Sequence, residues 1–88
     1  MIEGTVIVEN RAGIHARPAS LLVQVTKNFK SSIFFEAGSN RINAKSIMGI
    51  ITLGASYGTE IKIIIDGEDE ETAMEIMTKL FKSKFEEE

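Results

Sequence analysis

One histidine stands in a run of residues whose types suit phosphoryl chemistry. His15 lies in Gly13-Ile14-His15-Ala16-Arg17-Pro18-Ala19 and is the only histidine of the chain. Pro18 lacks a backbone N–H and prefers a φ of about −65°, so it is tolerated in the first turn of a helix. His15 is therefore expected just before or at the N-cap. There, the backbone N–H groups of Ala16 and Arg17 have no acceptor within the helix.

The expected position of His15 indicates a chemistry. A ring nitrogen can act as a nucleophile. Donors at the start of a helix bind anions, and the guanidinium of Arg17 matches the geometry of phosphate oxygens. A nucleophile beside an anion site is what reversible capture of a phosphoryl group requires.

The same residue types leave other interpretations open. A lone histidine in a small domain is often only a surface or capping residue. A metal site is poorly supported, because one histidine without cysteine cannot assemble a typical zinc centre. A Ser-His-Asp hydrolase is conceivable from the residue types, but no segment resembles a nucleophile elbow. The residue types alone therefore leave two interpretations of His15 open, a phosphoryl acceptor and a surface or capping histidine.

Ser46 is a second candidate, at the start of the segment Lys45-Ser46-Ile47-Met48-Gly49-Ile50-Ile51. Serine is among the best N-cap residues, so a structural role alone accounts for its place. The alternative is regulatory phosphorylation, which adds a charge of about −1.5 to −2. Such a charge is favourable at a helix N-terminus, so we expect little change in the fold.

Three apolar residues of the same short helix, Ile47, Met48 and Ile51, are candidates for a partner surface. All three could be core, although Ile50 or Leu53 is the better candidate. A helix this short cannot bury every apolar residue, and an exposed apolar patch commonly marks a binding site. Methionine suits a surface that accepts several partners, because it repacks readily.

The elements that would position these residues follow from hydrophobic spacing. Strands are predicted at 2–8, 33–36, 41–43 and 60–66, with a hairpin turn at 37–40. Ile64 points away from the inward isoleucines of its strand, which predicts a central strand or a partly covered second face. Helices are predicted from Pro18 to about Lys27, over 45–51 with Gly54 closing it, and along a stripe formed by Ala73, Ile76, Met77, Leu80 and Phe81.

The ends of the last helix carry complementary charge. An acidic run at 68–71 precedes it, and Lys79, Lys82 and Lys84 lie near its end. The element order β-α-β-β-α-β-α predicts an α+β fold in which a four-stranded antiparallel sheet is covered on one face by three helices. The whole chain, 1–88, is read as one domain, with the acidic end at 86–88 as a solvated tail.

Composition narrows the function classes. The formal net charge of −3 argues against nucleic-acid binding, which usually leaves a basic footprint. No apolar run approaches the roughly 20 residues that span a bilayer. The beginning of the chain lacks the pattern of a signal peptide. With no cysteine, the chain is compatible with a reducing cytoplasm, and we expect a cytoplasmic protein.

The sequence resembles the HPr family, the histidine-containing phosphocarriers of the bacterial sugar phosphotransferase system. The segment 13–19 resembles the family's active-site signature. Lys45-Ser46-Ile47-Met48-Gly49-Ile50-Ile51-Thr52-Leu53-Gly54 resembles its second signature. The spacing between the two segments and the overall length also match. The family fold, an open-faced β-sandwich, agrees with the element order above.

The resemblance implies a specific transfer. His15 would receive phosphate on Nδ1 from phosphorylated Enzyme I, which draws it from phosphoenolpyruvate, and would pass it to the IIA component of a sugar permease. Arg17 would be the neighbouring charge partner. Such a protein is modified stoichiometrically, so it is not an enzyme in the strict sense, and it needs no cofactor or metal.

The resemblance also implies a docking face and a control point. Ser20, Gln24 and Lys27 of the first helix would join Ile47, Met48 and Ile51 as the docking face. A dedicated kinase, with a phosphatase, would act on Ser46, and a catabolite-control transcription regulator would bind the phosphorylated form. Gly49 stands where the enteric branch usually carries lysine, which favours the Gram-positive-like form.

Two departures from the family pattern stand beside these implications. Gln24 occupies a position where many relatives carry a basic residue, and Phe34 occupies one that is often polar.

The competing hypotheses are an HPr-like module that acts only through phospho-Ser46 and a small nucleic-acid-binding domain. Relatives of the first kind lack the histidine, so His15 argues against it. A carrier that visits several partners is expected to be a monomer.

Overall fold

The computed structural model describes residues 1–86, and Glu87 and Glu88 lie outside the described part. The described residues form four strands, three α-helices and a closing 3-10 turn. In chain order these are β1 (Ile2–Ile7), α1 (Ala16–Thr26), β2 (Ser32–Ala37), β3 (Asn40–Asn43), α2 (Ile47–Leu53), β4 (Glu60–Asp66), α3 (Glu70–Lys82) and the turn Lys84–Glu86. The predicted order and fold class are confirmed.

The strands form one antiparallel sheet in the order β1-β4-β2-β3. β4 lies between β1 and β2, as the apolar residue on its second face predicted. Ile61, Ile63 and Ile65 are buried on one side of the sheet, and Ile64 is only 5% exposed on the other. Phe34 is paired in register with Ile64 and is half-buried. Phe34 therefore lies beside Ile64 on the second face of the central strand.

The helices cover the side of the sheet that carries the inward isoleucines. Their buried residues repeat at helical spacing, for example Ala73, Met77 and Phe81 in α3. Phe35 of β2 meets Phe81 edge-on, with ring centroids 5.8 Å apart. Ile50 of α2 is fully buried, as predicted. The apolar stripe of each helix thus fixes which of its other residues face outward.

The opposite side of the sheet, here called the open face, carries a row of charges across the strands. Lys62 of β4 lies 3.9 Å from a Glu3 carboxylate oxygen and 4.0 Å from one of Glu36. Arg41 of β3 donates to Glu36 over 3.1 Å. Charges of alternating sign therefore occupy β1, β4, β2 and β3 in spatial order.

The end of α3 differs from the sequence prediction. The helix ends at Lys82 with Ser83 as C-cap, so Lys84 lies outside its last turn. Lys84 and Phe85 both adopt a φ of 56°, a left-handed conformation that costs roughly 1–2 kcal/mol per residue. Phe85 is 3% exposed and packs on Phe81, with centroids 5.0 Å apart. Burial of this aromatic ring offsets the cost of the left-handed backbone conformation that turns the chain after α3.

The start of α3 is tied to the start of β2 through Asp69. Its carboxylate accepts hydrogen bonds from the backbone N–H groups of Lys30, at 2.9 Å, and Ser31, at 3.0 Å, and from the Ser31 hydroxyl. These bonds, the hydroxyl first, lower the pKa of Asp69 to about 2. Glu70 accepts from the Gly67 N–H, so the acidic first turn satisfies backbone donors as well as the helix dipole.

Candidate functional site

The segment between β1 and α1 is fixed to the segment that follows α2. Val8 N–H donates to the Thr59 carbonyl over 2.9 Å, and Gly58 N–H donates to the Val8 carbonyl over 2.8 Å. Further along, Ile14 N–H donates to the Ala55 carbonyl over 2.8 Å. Hydrogen bonds at both ends therefore hold the loop that leads into His15.

A four-residue turn stands inside this loop, at 10–13. Gly13 N–H donates to the Asn10 carbonyl over 3.0 Å, which closes the turn. Gly13 has a φ of +75°, a left-handed conformation that glycine adopts without steric cost. An added Cβ there would lie 2.9 Å from the Ala55 carbonyl oxygen. The close approach of the two segments thus requires glycine.

His15 is the N-cap of α1, with φ −100° and ψ −164°. Its carbonyl accepts from Ala19 N–H over 3.0 Å, which is the first bond of the helix. Helix geometry leaves the N–H groups of Ala16 and Arg17 without an intrahelical acceptor, and Pro18 has no N–H to contribute. The exposed His15 residue therefore stands beside two backbone donors at the positive end of the helix dipole.

Arg17 is exposed one residue further into the helix. A shallow concavity beside α1 is lined by Ala16, Arg17, Pro18, Ser20, Leu21, Gln24 and Phe85. Two of the predicted docking residues, Ser20 and Gln24, thus share a surface with Arg17. Lys27 follows as the C-cap of the helix and is exposed on the same stripe.

α1 and α2 lie side by side with opposite directions. Near the start of α1, Ile14 is bonded to Ala55, which follows α2. Near its end, the Thr26 hydroxyl donates to the Ala44 carbonyl over 2.8 Å, and Lys45 Nζ donates to the Phe29 carbonyl over 2.7 Å. His15 therefore lies near the last turn of α2, and Ser46 lies near the end of α1.

The outward side of α2 carries exposed apolar residues, as expected. Ile47 is 42%, Met48 69% and Ile51 38% exposed. Because Ile50 takes the buried position of the helix, its neighbours are turned toward solvent. Together with Ser20, Gln24 and Lys27 they form the surface that we call the α1–α2 surface.

Ser46 is the N-cap of α2, and its hydroxyl accepts the Gly49 N–H over 3.0 Å. Gly54, with a φ of 63°, closes the helix. The capping role predicted from sequence is thus present. Ser46 is half-buried. At 1.5 Å of rise per residue, the 11 residues of α1 put its two ends about 16 Å apart. Ser46 therefore lies at the far end of the helix pair from His15.

Sequence reasoning overlooked three residues near the site. Phe85 was not expected beside α1, because its position depends on the reversed chain after α3. Tyr57, 62% exposed, follows Ala55 and Ser56 in the segment bonded to the His15 loop. Asn10 closes the turn before His15. The sequence does indicate this turn, since asparagine at its first position and glycine at its fourth are typical of a type I turn.

The structure adds two observations on other site classes. Within residues 1–86, no group of three His, Cys, Asp or Glu side chains is placed to hold a metal ion. Among the helices of that same range, none has the length and apolar character needed to cross a membrane.

Comparison with known proteins decides the family. The family model described as the PTS HPr component phosphorylation site matches residues 2–83. This chain belongs to the HPr family. It is 47% identical to the phosphocarrier protein HPr of Treponema pallidum, strain Nichols, over 88 residues that cover all of both chains. HPr proteins are phosphocarriers of the phosphotransferase system, and an exposed histidine at a helix N-terminus agrees with that role.

Solved structures of HPr proteins agree with the fold. A crystal structure of HPr from Thermoanaerobacter tengcongensis superposes with a TM-score of 0.95 at 46% identity, covering 100% of this chain and 99% of that one. The chain is also similar to Crh, a catabolite repression protein of Bacillus subtilis, at 40% identity and a TM-score of 0.70. That match covers 99% of this chain and 95% of Crh, whose crystal structure is a swapped dimer. HPr-family proteins thus include both carriers and a catabolite-repression protein.

Proposed function

We propose that this HPr-family chain accepts a phosphoryl group on Nδ1 of His15 from phosphorylated Enzyme I and passes it to sugar-specific IIA components. The observation that carries the proposal is the position of His15 at the N-cap of α1. There the residue directly precedes the N–H groups of Ala16 and Arg17, and Arg17 brings an exposed guanidinium to the same first turn. These groups are suited to receive the oxygens of a transferred phosphoryl group.

The transfer conserves atoms and charge. The lone pair of Nδ1 attacks phosphorus, a P–N bond forms on His15, and the bond between phosphorus and the donor atom breaks with its electrons staying on the donor. The second transfer reverses the roles, and the free imidazole returns. Backbone N–H groups and Arg17 stabilise charge on the phosphoryl oxygens during both steps, which is the main task in this chemistry.

The α1–α2 surface provides the docking face in this proposal. It combines polar Ser20 and Gln24 and basic Lys27 with the exposed apolar side chains of α2. It lies along the same helix pair as His15, so a partner seated on it holds its own reacting group against the ring. One surface then serves both the donor and the acceptor of the phosphoryl group. In this proposal residues 1–88 form one cytoplasmic domain that acts as a carrier rather than as an enzyme.

Phosphorylation of Ser46 by a kinase, reversed by a phosphatase, is the proposed control. The distance of about 16 Å between the two ends of α1 exceeds the Debye length of about 8 Å at physiological ionic strength. A phosphate on Ser46 therefore acts on docking near Lys27 more than on the His15 ring itself. The same charge provides an anionic feature for a catabolite-control transcription regulator. Gly49, where the enteric branch usually carries lysine, supports the Gram-positive-like form of this control.

The carrier role is tested by transfer with purified Enzyme I, phosphoenolpyruvate and magnesium, followed by intact mass before and after brief acid treatment. We expect one acid-labile phosphate on the wild type and none on His15→Ala. Arg17→Lys, which keeps the charge but loses the planar fork, is expected to slow the transfer about tenfold. Absence of label, with an Enzyme I proven active on another HPr, would reject the proposal.

The control at Ser46 has its own test. Ser46→Asp places a carboxylate at the N-cap, where it is favourable for α2 and adds negative charge to the α1–α2 surface. We expect a higher KM for this variant in Enzyme I-dependent transfer, with an unchanged thermal midpoint. Ser46→Thr, which keeps the cap without added charge, is the control. Equal kinetics for Ser46→Asp and wild type would sink the inhibitory role.

A second candidate is a regulatory module that acts only through phospho-Ser46, and the similarity to Crh is the observation that favours it. The two functions separate on one measurement. A regulatory module takes no phosphate from Enzyme I but is still modified by a serine kinase. His15 at the start of α1 supports the carrier.

A further inference from the structure

The peptide unit that leads into His15 is held by a buried asparagine. Asn10 is 1% exposed, and its Nδ2 donates to the Gly13 carbonyl over 2.6 Å. The N–H of the same peptide unit belongs to Ile14 and donates to the Ala55 carbonyl over 2.8 Å. Both polar groups of the Gly13–Ile14 peptide are therefore bonded, one by a side chain and one by the neighbouring segment. The plane of this peptide cannot rotate without breaking one of these bonds.

Asn10 holds Gly13 at both of its backbone groups. The Asn10 carbonyl accepts the Gly13 N–H over 3.0 Å, and the Asn10 side chain takes the Gly13 carbonyl. Gly13 provides no side chain of its own to fix the turn. The conformation of the loop before His15 thus depends on Asn10 more than on packing contacts of Gly13.

The other amide atom of Asn10 indicates that packing is not the reason for this residue. Asn10 Oδ1 is buried, and no donor among the described residues reaches it. A buried acceptor without a donor costs stability. An apolar residue of similar size would avoid that cost. An asparagine at this buried position is explained if its Nδ2 donor is needed to hold the Gly13 carbonyl in front of His15.

We infer that Asn10 is a positioning residue for phosphoryl transfer on His15. By fixing the Gly13–Ile14 peptide it sets the direction in which the chain enters α1, and with it the placement of the His15 ring against the N–H groups of Ala16 and Arg17. Asn10 touches neither phosphoryl group nor partner. The inference rests on the proposed function at His15 and adds a residue that acts through the backbone.

The test compares two variants of Asn10 with a matched control. Asn10→Ala removes the donor, and Asn10→Asp keeps the shape while replacing the donor by a carboxylate oxygen. Thr26→Val is the control, because it also removes a buried side-chain donor to a backbone carbonyl, at the other end of α1. Initial rates with Enzyme I give kcat and KM for each variant, at a temperature where circular dichroism shows all of them folded.

We expect kcat for both Asn10 variants to fall between about tenfold and a hundredfold, since a displacement of about 1 Å at a reacting group costs that much. KM should stay within about twofold, because the α1–α2 surface is unchanged. Thr26→Val should lose stability and keep the wild-type kcat. A wild-type kcat in Asn10→Ala, or an equal fall in Thr26→Val, would overturn the inference.

Amide hydrogen exchange measures the positioning without any transfer. The Ile14 N–H is expected to exchange faster in Asn10→Ala than in the wild type, because its peptide unit has lost one of its two bonds. Thr26→Val should leave the exchange of Ile14 unchanged. Unchanged exchange in Asn10→Ala would also overturn the inference. This readout separates the two failures: an unlabelled wild type rejects the proposed function, whereas Ile14 exchange still decides the role of Asn10.

Discussion

Gly13 is the residue at which the loop before α1 depends on the absence of a side chain. Its φ of +75° is unfavourable for other residues, and a Cβ would come within 2.9 Å of the Ala55 carbonyl oxygen. That carbonyl accepts the Ile14 N–H. A side chain at Gly13 would therefore push away the same oxygen that holds the chain in front of His15.

Replacement of Gly13 by alanine is expected to lower the free energy of unfolding by more than the left-handed conformation alone accounts for. Gly38 is the matched control, because its φ is +60° and an added Cβ meets nothing within 4 Å. We expect a loss of about 1–2 kcal/mol for Gly38→Ala. Gly13→Ala should lose a further 1–3 kcal/mol, roughly, from overpacking. Urea denaturation measures both, and equal losses would contradict the close contact with Ala55.

Among the elements, the junction of α3 and β2 depends on one ionised carboxylate. The Asp69 carboxylate accepts hydrogen bonds from the N–H groups of Lys30 and Ser31, the two residues directly before β2. The folded protein favours the anion, so the pKa of Asp69 lies at about 2 instead of the ordinary 3.8. A depressed pKa means that this contribution to stability is present above about pH 4 and is lost as the pH falls toward 2.

The variant Asp69→Asn is expected to lower the thermal midpoint at pH 7, because an amide is a weaker acceptor and its NH2 group faces backbone donors. The difference from the wild type should shrink as the pH approaches 2. Glu68→Gln is the control, since its pair with Lys30 is exposed and screened. Thermal scans by circular dichroism at both pH values provide the measurement. A difference independent of pH would show that the Asp69 charge does not support the junction.

At the scale of the whole molecule, exposed apolar side chains occur on both sides of the sheet and provide a matched comparison. Ile47 on the α1–α2 surface is 42% exposed, and Ile7 on the edge strand β1 is 43% exposed. We expect Ile47→Ala to raise the KM for Enzyme I about fivefold to tenfold, the effect of truncating an apolar contact residue in an interface. Ile7→Ala should leave the KM within about twofold.

The equal exposure of the two isoleucines separates docking from stability in this comparison. Both substitutions remove a similar apolar area, so their effects on the free energy of unfolding should be similar. A KM that rises equally in both variants would contradict the assignment of docking to the α1–α2 surface.

The open face of the sheet bears on the oligomeric state. A second sheet stacked there would desolvate the row formed by Glu3, Lys62, Glu36 and Arg41, at a cost in free energy. We therefore expect light scattering to give the mass of one chain, 9.7 kDa, at low and at high micromolar concentration. The swapped dimer of Crh is the contrasting outcome, and a mass of two chains would contradict the expectation.

Much of the fold and of the candidate site was predictable because it depends on local rules. Pro18 marks the first turn of α1, and Ser46 and Gly54 delimit α2 through a side-chain cap and a left-handed residue. The burial of Ile64 followed from apolar residues on both faces of one strand. Each of these features depends on a few residues adjacent in sequence, so periodicity and capping chemistry suffice to place them.

By itself, the sequence determined the order of the elements, the position of His15 at the start of a helix and the exposed apolar side of α2. Only the tertiary structure decided that Ser46 lies at the opposite end of the helix pair from His15, that Phe85 returns to line the surface beside Arg17, and that Asn10 fixes the peptide before His15. The physical reason is range. Caps and amphipathic faces are fixed by neighbours within about four residues. The other features depend on contacts between segments distant in sequence, whose geometry exists only once the helices are packed on the sheet.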